Sequence, residues 1–154
     1  MEERPVIAIQ PNQIDRILDL IAWFFLVLTW SILLMSFIKT PYLRPNVFES
    51  LIALFPLITT GVFVLLTKRM KYPYRLNYPV PINDSNVVKQ YANALTMLRY
   101  LRVAIVLLFY FMLIELNQIK QGQHADIYLW MAPIITLLIF SPLAFFVAKA
   151  YKLK

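Results

Sequence analysis

The residues able to do chemistry are few. His124 is the only histidine, and it lies two positions before Asp126. That pairing offers a general base or a single metal ligand. There is no second histidine and no cysteine to complete a zinc set. Thiolate catalysis and disulfides are excluded with the cysteines. No G-x-S-x-G elbow occurs. The two glycines, Gly61 and Gly122, are too few for a loop that cradles phosphate. His124 therefore reads as a solvated loop residue, and the expectation is no catalytic residue, no metal site and no cofactor. Asp19 and Glu115 fall near the ends of apolar runs and read as interfacial, solvated carboxylates rather than as a proton relay. Thr29, Ser31, Ser36, Thr59 and Thr60 can bond their own backbone carbonyls or a neighbouring helix.

The elements that carry these residues are apolar helices. Of 154 residues, 60% are hydrophobic and 15% charged, with a mean hydropathy of +0.65. Soluble domains carry about 25% charged residues, so a single integral membrane domain over residues 1–154 is expected. Four uncharged or nearly uncharged stretches predict four spans, at about 17–38, 50–67, 97–117 and 127–148. Asn12, with Asp15 three residues on, has the form of a helix-capping box. Pro56 and Gly61 lie in the second span, and Pro133 and Pro142 in the fourth, where bends are expected. The first span reads as an uncleaved anchor, because Glu2 and Glu3 precede it and no A-x-A site follows.

Residues 68–96 form the one long polar segment. Pro73, Pro79 and Pro81 exclude helix from Tyr72 to Ile82. Asn83, Asp84 and Ser85 are N-cap candidates. Beyond them the apolar period predicts a helix over about 85–120. At 1.5 Å per residue this is roughly 50 Å, longer than a hydrocarbon core of about 30 Å. The fold expected is thus an all-α bundle of four transmembrane helices, with an elongated third helix and a proline-rich cytoplasmic strip.

The net charge is +7. With four spans, both termini and residues 68–96 share one side, which collects twelve of the fifteen Lys and Arg residues. This asymmetry puts that side in the cytoplasm. Lys68, Arg69, Lys71, Arg75, Arg99 and Arg102 are candidate contacts to anionic lipid headgroups, the last two by snorkelling. The tyrosines among them, Tyr72, Tyr74 and Tyr78, do not outweigh that reading, and no nucleic acid is expected. Val87, Tyr91, Leu95 and Leu98 form an apolar helix face. That face either packs under the strip 76–82 and the arm Val6–Ile9, or docks a partner.

The run RLNYPVPINDSNVVKQYANALTMLRYLR resembles an F-N-Y-P-V-x-I-T-x-E-N-x-x-x-Q-Y segment followed by a helix. The matching positions are Asn77, Tyr78, Pro79, Val80, Ile82, Asn86, Gln90 and Tyr91. That segment occurs in small membrane proteins, largely from the Bacteroidetes, with the domain of unknown function that also precedes the SdpI region of SdpI-type immunity proteins. The start RPVIAIQPNQIDRILDLI and the end FFVAKAYKLK are similar to that group as well. Members carry a loop of the type I-P-x-H-F-N-x-x-G-x-x-D after span one. KTPYLRPNVFES stands there instead, so roles tied to that loop do not carry over. The resemblance implies a bacterial inner-membrane protein of the immunity or signalling type, acting on a protein partner in or at the lipid bilayer. The alternatives are an accessory structural subunit of a larger membrane complex and, last, a small transporter. The oligomeric state is left open.

Overall fold

The computed structural model describes residues 4–39, 47–120 and 128–153. Four helices follow in order: α1 Gln13–Lys39, α2 Val47–Met70, α3 Val87–Lys120 and α4 Tyr128–Lys152, with a short 3₁₀ turn at Pro73–Arg75. Among the described residues there is no strand. Two stretches, Gln13–Met35 and Val87–Ile119, are long and apolar enough to cross a membrane. The loop holding Gly122, His124 and Asp126 and the connector 40–46 lie outside the described residues.

Paired side-chain caps start α1 and α3. Asn12 Oδ1 accepts the Asp15 amide at 2.8 Å, and Asp15 Oδ2 accepts the Asn12 amide at 3.0 Å. Asn83 and Asn86 repeat the pattern, with both bonds at 3.0 Å. Each box satisfies two of the amides a helix N-terminus leaves free. Of the three N-cap candidates before α3, Asn83 takes the role, and α3 spans 34 residues from Val87. Lys68 and Arg69 end α2, and Lys149 and Lys152 end α4, where cations meet the negative end of the helix dipole.

The exclusion of helix from Tyr72 to Ile82 needs one correction, since Pro73–Arg75 forms a 3₁₀ turn. Pro73 opens it, and a proline is tolerated there because the first amide of a helix has no partner to lose. Helices α2 and α4 run unbroken through Pro56, Pro133 and Pro142.

Helix α3 is the central element. It packs against α1, α2 and α4, and α1 also touches α2. Ala22, Leu26, Phe63 and Val106 form one buried cluster, and Leu33 with Leu113 a second. Leu26 and Leu33 are seven residues apart on α1, and so are Val106 and Leu113 on α3. Each pair therefore repeats on one helix face, as in a two-helix seam. Trp30 Nε1 crosses to Thr60 Oγ1 at 3.0 Å, while Thr60 itself donates to Pro56 O at 2.7 Å. Thr29, Ser31 and Thr59 bond carbonyls of their own helices. The outward faces are apolar too. Leu20, Phe24 and Leu34 on α1, Leu57 and Leu65 on α2, and Leu137, Phe140 and Phe145 on α4 are all exposed.

Gly61 sits mid-α2, and a Cβ built there meets nothing within 4 Å. Gly61→Ala is therefore expected to stabilise the fold by about 0.5–1 kcal/mol through helix propensity. A higher thermal midpoint in detergent checks this; a lower one would reveal a neighbour packed on that face.

Candidate functional site

The polar residues of the bundle concentrate at one end, where α1 and α3 begin and α2 and α4 finish. Asp15 and Asp19 lie one turn apart on α1, so both face α3. Opposite them stand Thr96, Arg99 and Arg102. Thr96 Oγ1 donates to Asp15 Oδ1 at 2.8 Å. Arg99 reaches both carboxylates, with Nη1 3.4 Å from Asp15 and Nε 3.3 Å from Asp19. The Nη1 contact is an ion pair without hydrogen-bond geometry. Arg102 pairs with Asp19 through Nη2 and donates from Nη1 to Thr67 Oγ1 of α2 at 2.9 Å. Its guanidinium lies 4.5 Å from the centre of the Phe63 ring. One network thus joins α1, α2 and α3.

This geometry corrects the expected outward reach of Arg99 and Arg102. Both are buried, at 8% and 4% exposure, because two carboxylates on the adjacent helix outcompete solvent for them. Asp19 likewise is no freely solvated carboxylate, although its side chain keeps 36% exposure. Glu115, expected at an interface, is also buried.

A cap covers this end of the bundle. Val87, Tyr91, Leu95 and Leu98 are buried within it, so of the two readings of that face, internal packing is the arrangement found. Tyr91 stacks on Tyr78 at 5.5 Å between ring centres and donates its hydroxyl to Pro5 O at 3.2 Å. The Tyr78 hydroxyl donates to Pro73 O at 2.8 Å. Burial, and secondarily the neighbouring Tyr91, pushes the Tyr78 hydroxyl above the usual phenol range, against the opposing pull of Arg4. Arg4 fastens the N-terminal arm to the strip. It donates to Leu76 O at 2.5 Å and Tyr74 O at 3.3 Å, and its guanidinium lies 5.4 Å from the Tyr78 ring centre. One of the two readings packs the α3 face against the arm Val6–Ile9. Ile7 and Ile9 are half-buried, but Val6 is exposed, and the cationic side chain supplies the specific contacts.

On the far side of α3, two amides hold α4. Gln90 Nε2 donates to Ala150 O at 2.8 Å and Leu153 O at 3.3 Å, covering carbonyls of the last turn. Asn93 Nδ2 donates to Phe146 O at 2.9 Å. In the sequence, Gln90 stands out only as a motif position, and Asn93 belongs to no motif. A polar residue on the buried face of an otherwise apolar helix is the signal that marks them.

The remaining basic candidates lie together at the edge of the cap. Lys68, Arg69, Lys71 and Arg75 are exposed. Lys68, Arg69, Tyr72 and Arg75 line a recess of about 190 Å³. Arg75 sits over the Tyr72 and Tyr74 rings, 5.2 and 5.5 Å from their centres. Among the described residues, no three His, Cys, Asp or Glu side chains come together as a metal set. No protein-family model matches this chain, and comparison with curated proteins and with solved structures finds no similar protein.

The two sides of the Asp19–Arg102 pair are unequal, which orders the effects of mutation. Asp19→Leu strands a buried guanidinium with Thr67 as its remaining polar partner. The expected cost is about 3 kcal/mol, the low end for a broken buried pair because Asp19 is partly solvated. Arg102→Met leaves Asp19 facing Arg99 and water, and costs less. The double variant recovers much of the loss. Thermal unfolding of the purified variants reads the order, and equal losses in the two single variants would contradict it.

Proposed function

We propose that this chain is a four-span integral membrane protein with both termini cytoplasmic, acting without catalysis by binding a protein partner in or beside the bilayer. The observation that carries the membrane part is the pairing of apolar helices with apolar outward faces. In water, so many exposed Leu, Phe, Val and Met side chains would drive aggregation. In lipid, the same side chains are the correct surface. Lys68, Arg69, Lys71 and Arg75 then stand where anionic headgroups lie, with the recess beside them open to a phosphate.

The polar residues support a binding role over chemistry. Asp15, Thr96, Arg99, Arg102, Gln90 and Asn93 all bind other parts of the fold. The strip from Asn77 to Tyr91, which resembles the domain that precedes the SdpI region, fits a small membrane protein of the immunity or signalling type. With the Val87–Leu98 face inside the cap, the surface left for a partner is the outward side of the helices. A second reading, an accessory subunit of a larger membrane complex, is favoured by α4. Among the described residues this helix packs chiefly on α3 and turns Ile134, Leu137, Phe140 and Phe145 outward.

Two experiments test the proposal. Single cysteines introduced as Gly122→Cys and Lys152→Cys in this cysteine-free chain are expected to be labelled from opposite sides of the membrane; labelling from one side would sink the four-span reading. Photo-cross-linking from position 140 in native membranes, followed by purification in mild detergent, reads the partner. A single small adduct supports the first reading and a stoichiometric large assembly the second. A chain that cross-links only to lipid counts against both.

A further inference from the structure

Marking the cytoplasmic side needs only scattered cations, yet three of them surround one small recess. Lys68 and Arg69 stand on the last turn of α2, and Tyr72, Arg75 and Leu76 of the strip complete the walls. The volume, about 190 Å³, lies below the roughly 300–1,000 Å³ of ordinary ligand pockets, so the recess admits one compact group. Among the described residues, none of the three cations is paired with a carboxylate. The ion pairs there all join Asp15 and Asp19 to Arg99 and Arg102.

Arg75 is held before any ligand arrives. Its guanidinium lies 5.2 Å from the centre of the Tyr72 ring and 5.5 Å from that of Tyr74, and the two rings meet edge to face at 6.1 Å. The turn beneath is closed by its own backbone, with the Arg75 amide donating to Tyr72 O at 3.0 Å and the Leu76 amide to Pro73 O at 3.1 Å. A side chain already fixed against aromatic rings loses less freedom when it binds an anion. The end of α2 opposes an anion with only about half a unit of negative charge. Two of its last carbonyls, Lys68 O and Arg69 O, also accept from the Lys71 and Tyr72 amides at 3.2 Å. Three full positive charges outweigh that opposition.

Charge and donor count decide which anion fits. A phosphodiester or a carboxylate brings one negative charge. A phosphate monoester brings about −1.5 to −2 at pH 7, on three strong acceptor oxygens. Two guanidinium forks and one ammonium around a single compact space match the monoester best.

We propose that this recess binds a phosphate monoester, borne by a phosphatidate-type lipid. Arg69 and Arg75 donate to its oxygens, and Lys68 supplies a third charge. The inference deepens the headgroup contact of the four-span reading and rests on it, since that reading sets the end of α2 at the cytoplasmic headgroup level. A soluble phosphate monoester shares the same chemistry, and the test separates the two sources.

The test uses the full chain in lipid nanodiscs holding equal amounts of phosphatidate and its methyl ester, with identical acyl chains. The methyl group removes one ionisable oxygen and leaves the rest of the lipid unchanged. Lipid retained after extraction in mild detergent is quantified by mass spectrometry. About tenfold enrichment of phosphatidate is expected, the size of one further charge-assisted hydrogen bond. Arg75→Gln is expected to remove most of the enrichment. Arg75→Lys keeps the charge but loses the planar fork, and is expected to lower the enrichment too. Lys89→Gln removes one exposed cation of α3 that lies outside the recess, and is expected to leave it unchanged. These positions are exposed, so the variants are expected to keep the thermal midpoint of the parent chain.

Equal retention of the two lipids, with no saturable binding of methyl phosphate, overturns the proposal. So does an equal loss from Lys89→Gln and Arg75→Gln, which would make the preference a matter of diffuse charge. Saturable binding of methyl phosphate in discs of neutral lipid, lost in Arg75→Gln and unaccompanied by phosphatidate enrichment, supports the monoester site and assigns it a soluble ligand. Labelling at positions 122 and 152 in the same discs separates the two readings. Opposite-side labelling without monoester binding refutes this inference alone, and same-side labelling with monoester binding refutes the four-span reading alone.

Discussion

Two arginines on the central helix cannot be buried without two carboxylates to meet them, and much of the bundle's arrangement follows from that constraint. An unpaired guanidinium in a low-dielectric interior is costly enough that the helices must rotate and slide until it is paired. Arg99 and Arg102 are three residues apart on α3, and Asp15 and Asp19 four apart on α1. Matching the two sets fixes both the facing and the axial register of the helices. Thr67 then draws in the end of α2 by accepting from Arg102. Apolar contacts alone, such as Ala22, Leu26 and Val106, tolerate sliding by a turn, because one aliphatic residue replaces another at little cost.

Asp15 couples this register to local structure. One of its oxygens closes the capping box with Asn12, and the other accepts from Thr96. The start of α1 and its docking on α3 therefore share one carboxylate. The same economy appears in the cap, where Tyr91 stacks on the strip and holds Pro5 of the arm. In a bilayer, hydrocarbon gives helices little reason to prefer one another over lipid, so polar contacts and close packing must supply specificity. Here most of those contacts sit at one end, with the Trp30–Thr60 bond further along the bundle, and the outward faces are left to the surrounding medium.

What was legible in the sequence is what depends on neighbours in the chain. The long uncharged runs, the Asn12–Asp15 cap and the start of α3 near residue 85 all come from local spacing, and the helices fall within a few residues of those expectations. Pro73 was read as a breaker because proline excludes the helix interior; the first position of a 3₁₀ turn is the exception. The larger misreadings are all long-range. Arg99 and Arg102 near the end of an apolar run look like snorkelling residues until a carboxylate some 80 positions away takes them. Arg4 looks like one more cytoplasmic charge until the carbonyls of Tyr74 and Leu76 take it. Pairings of this kind depend on how helices rotate against each other, which the period of a single helix does not encode. They were foreshadowed only by a charge or amide on a face that should be apolar.

Helix α4 differs from the others in how it is held. Among the described residues it lacks a buried ion pair, and it packs chiefly on α3, through Phe146, Ala150 and the amides of Gln90 and Asn93. Each amide uses its nitrogen to hold α4 and leaves its oxygen buried without a partner. Detaching α4 would break these few contacts and leave the Asp15–Arg99 network whole. Local opening at the least tied element is the usual route to motion in a folded protein. Any conformational response of this bundle is therefore expected to begin at α4, on the side whose apolar face is available to a partner.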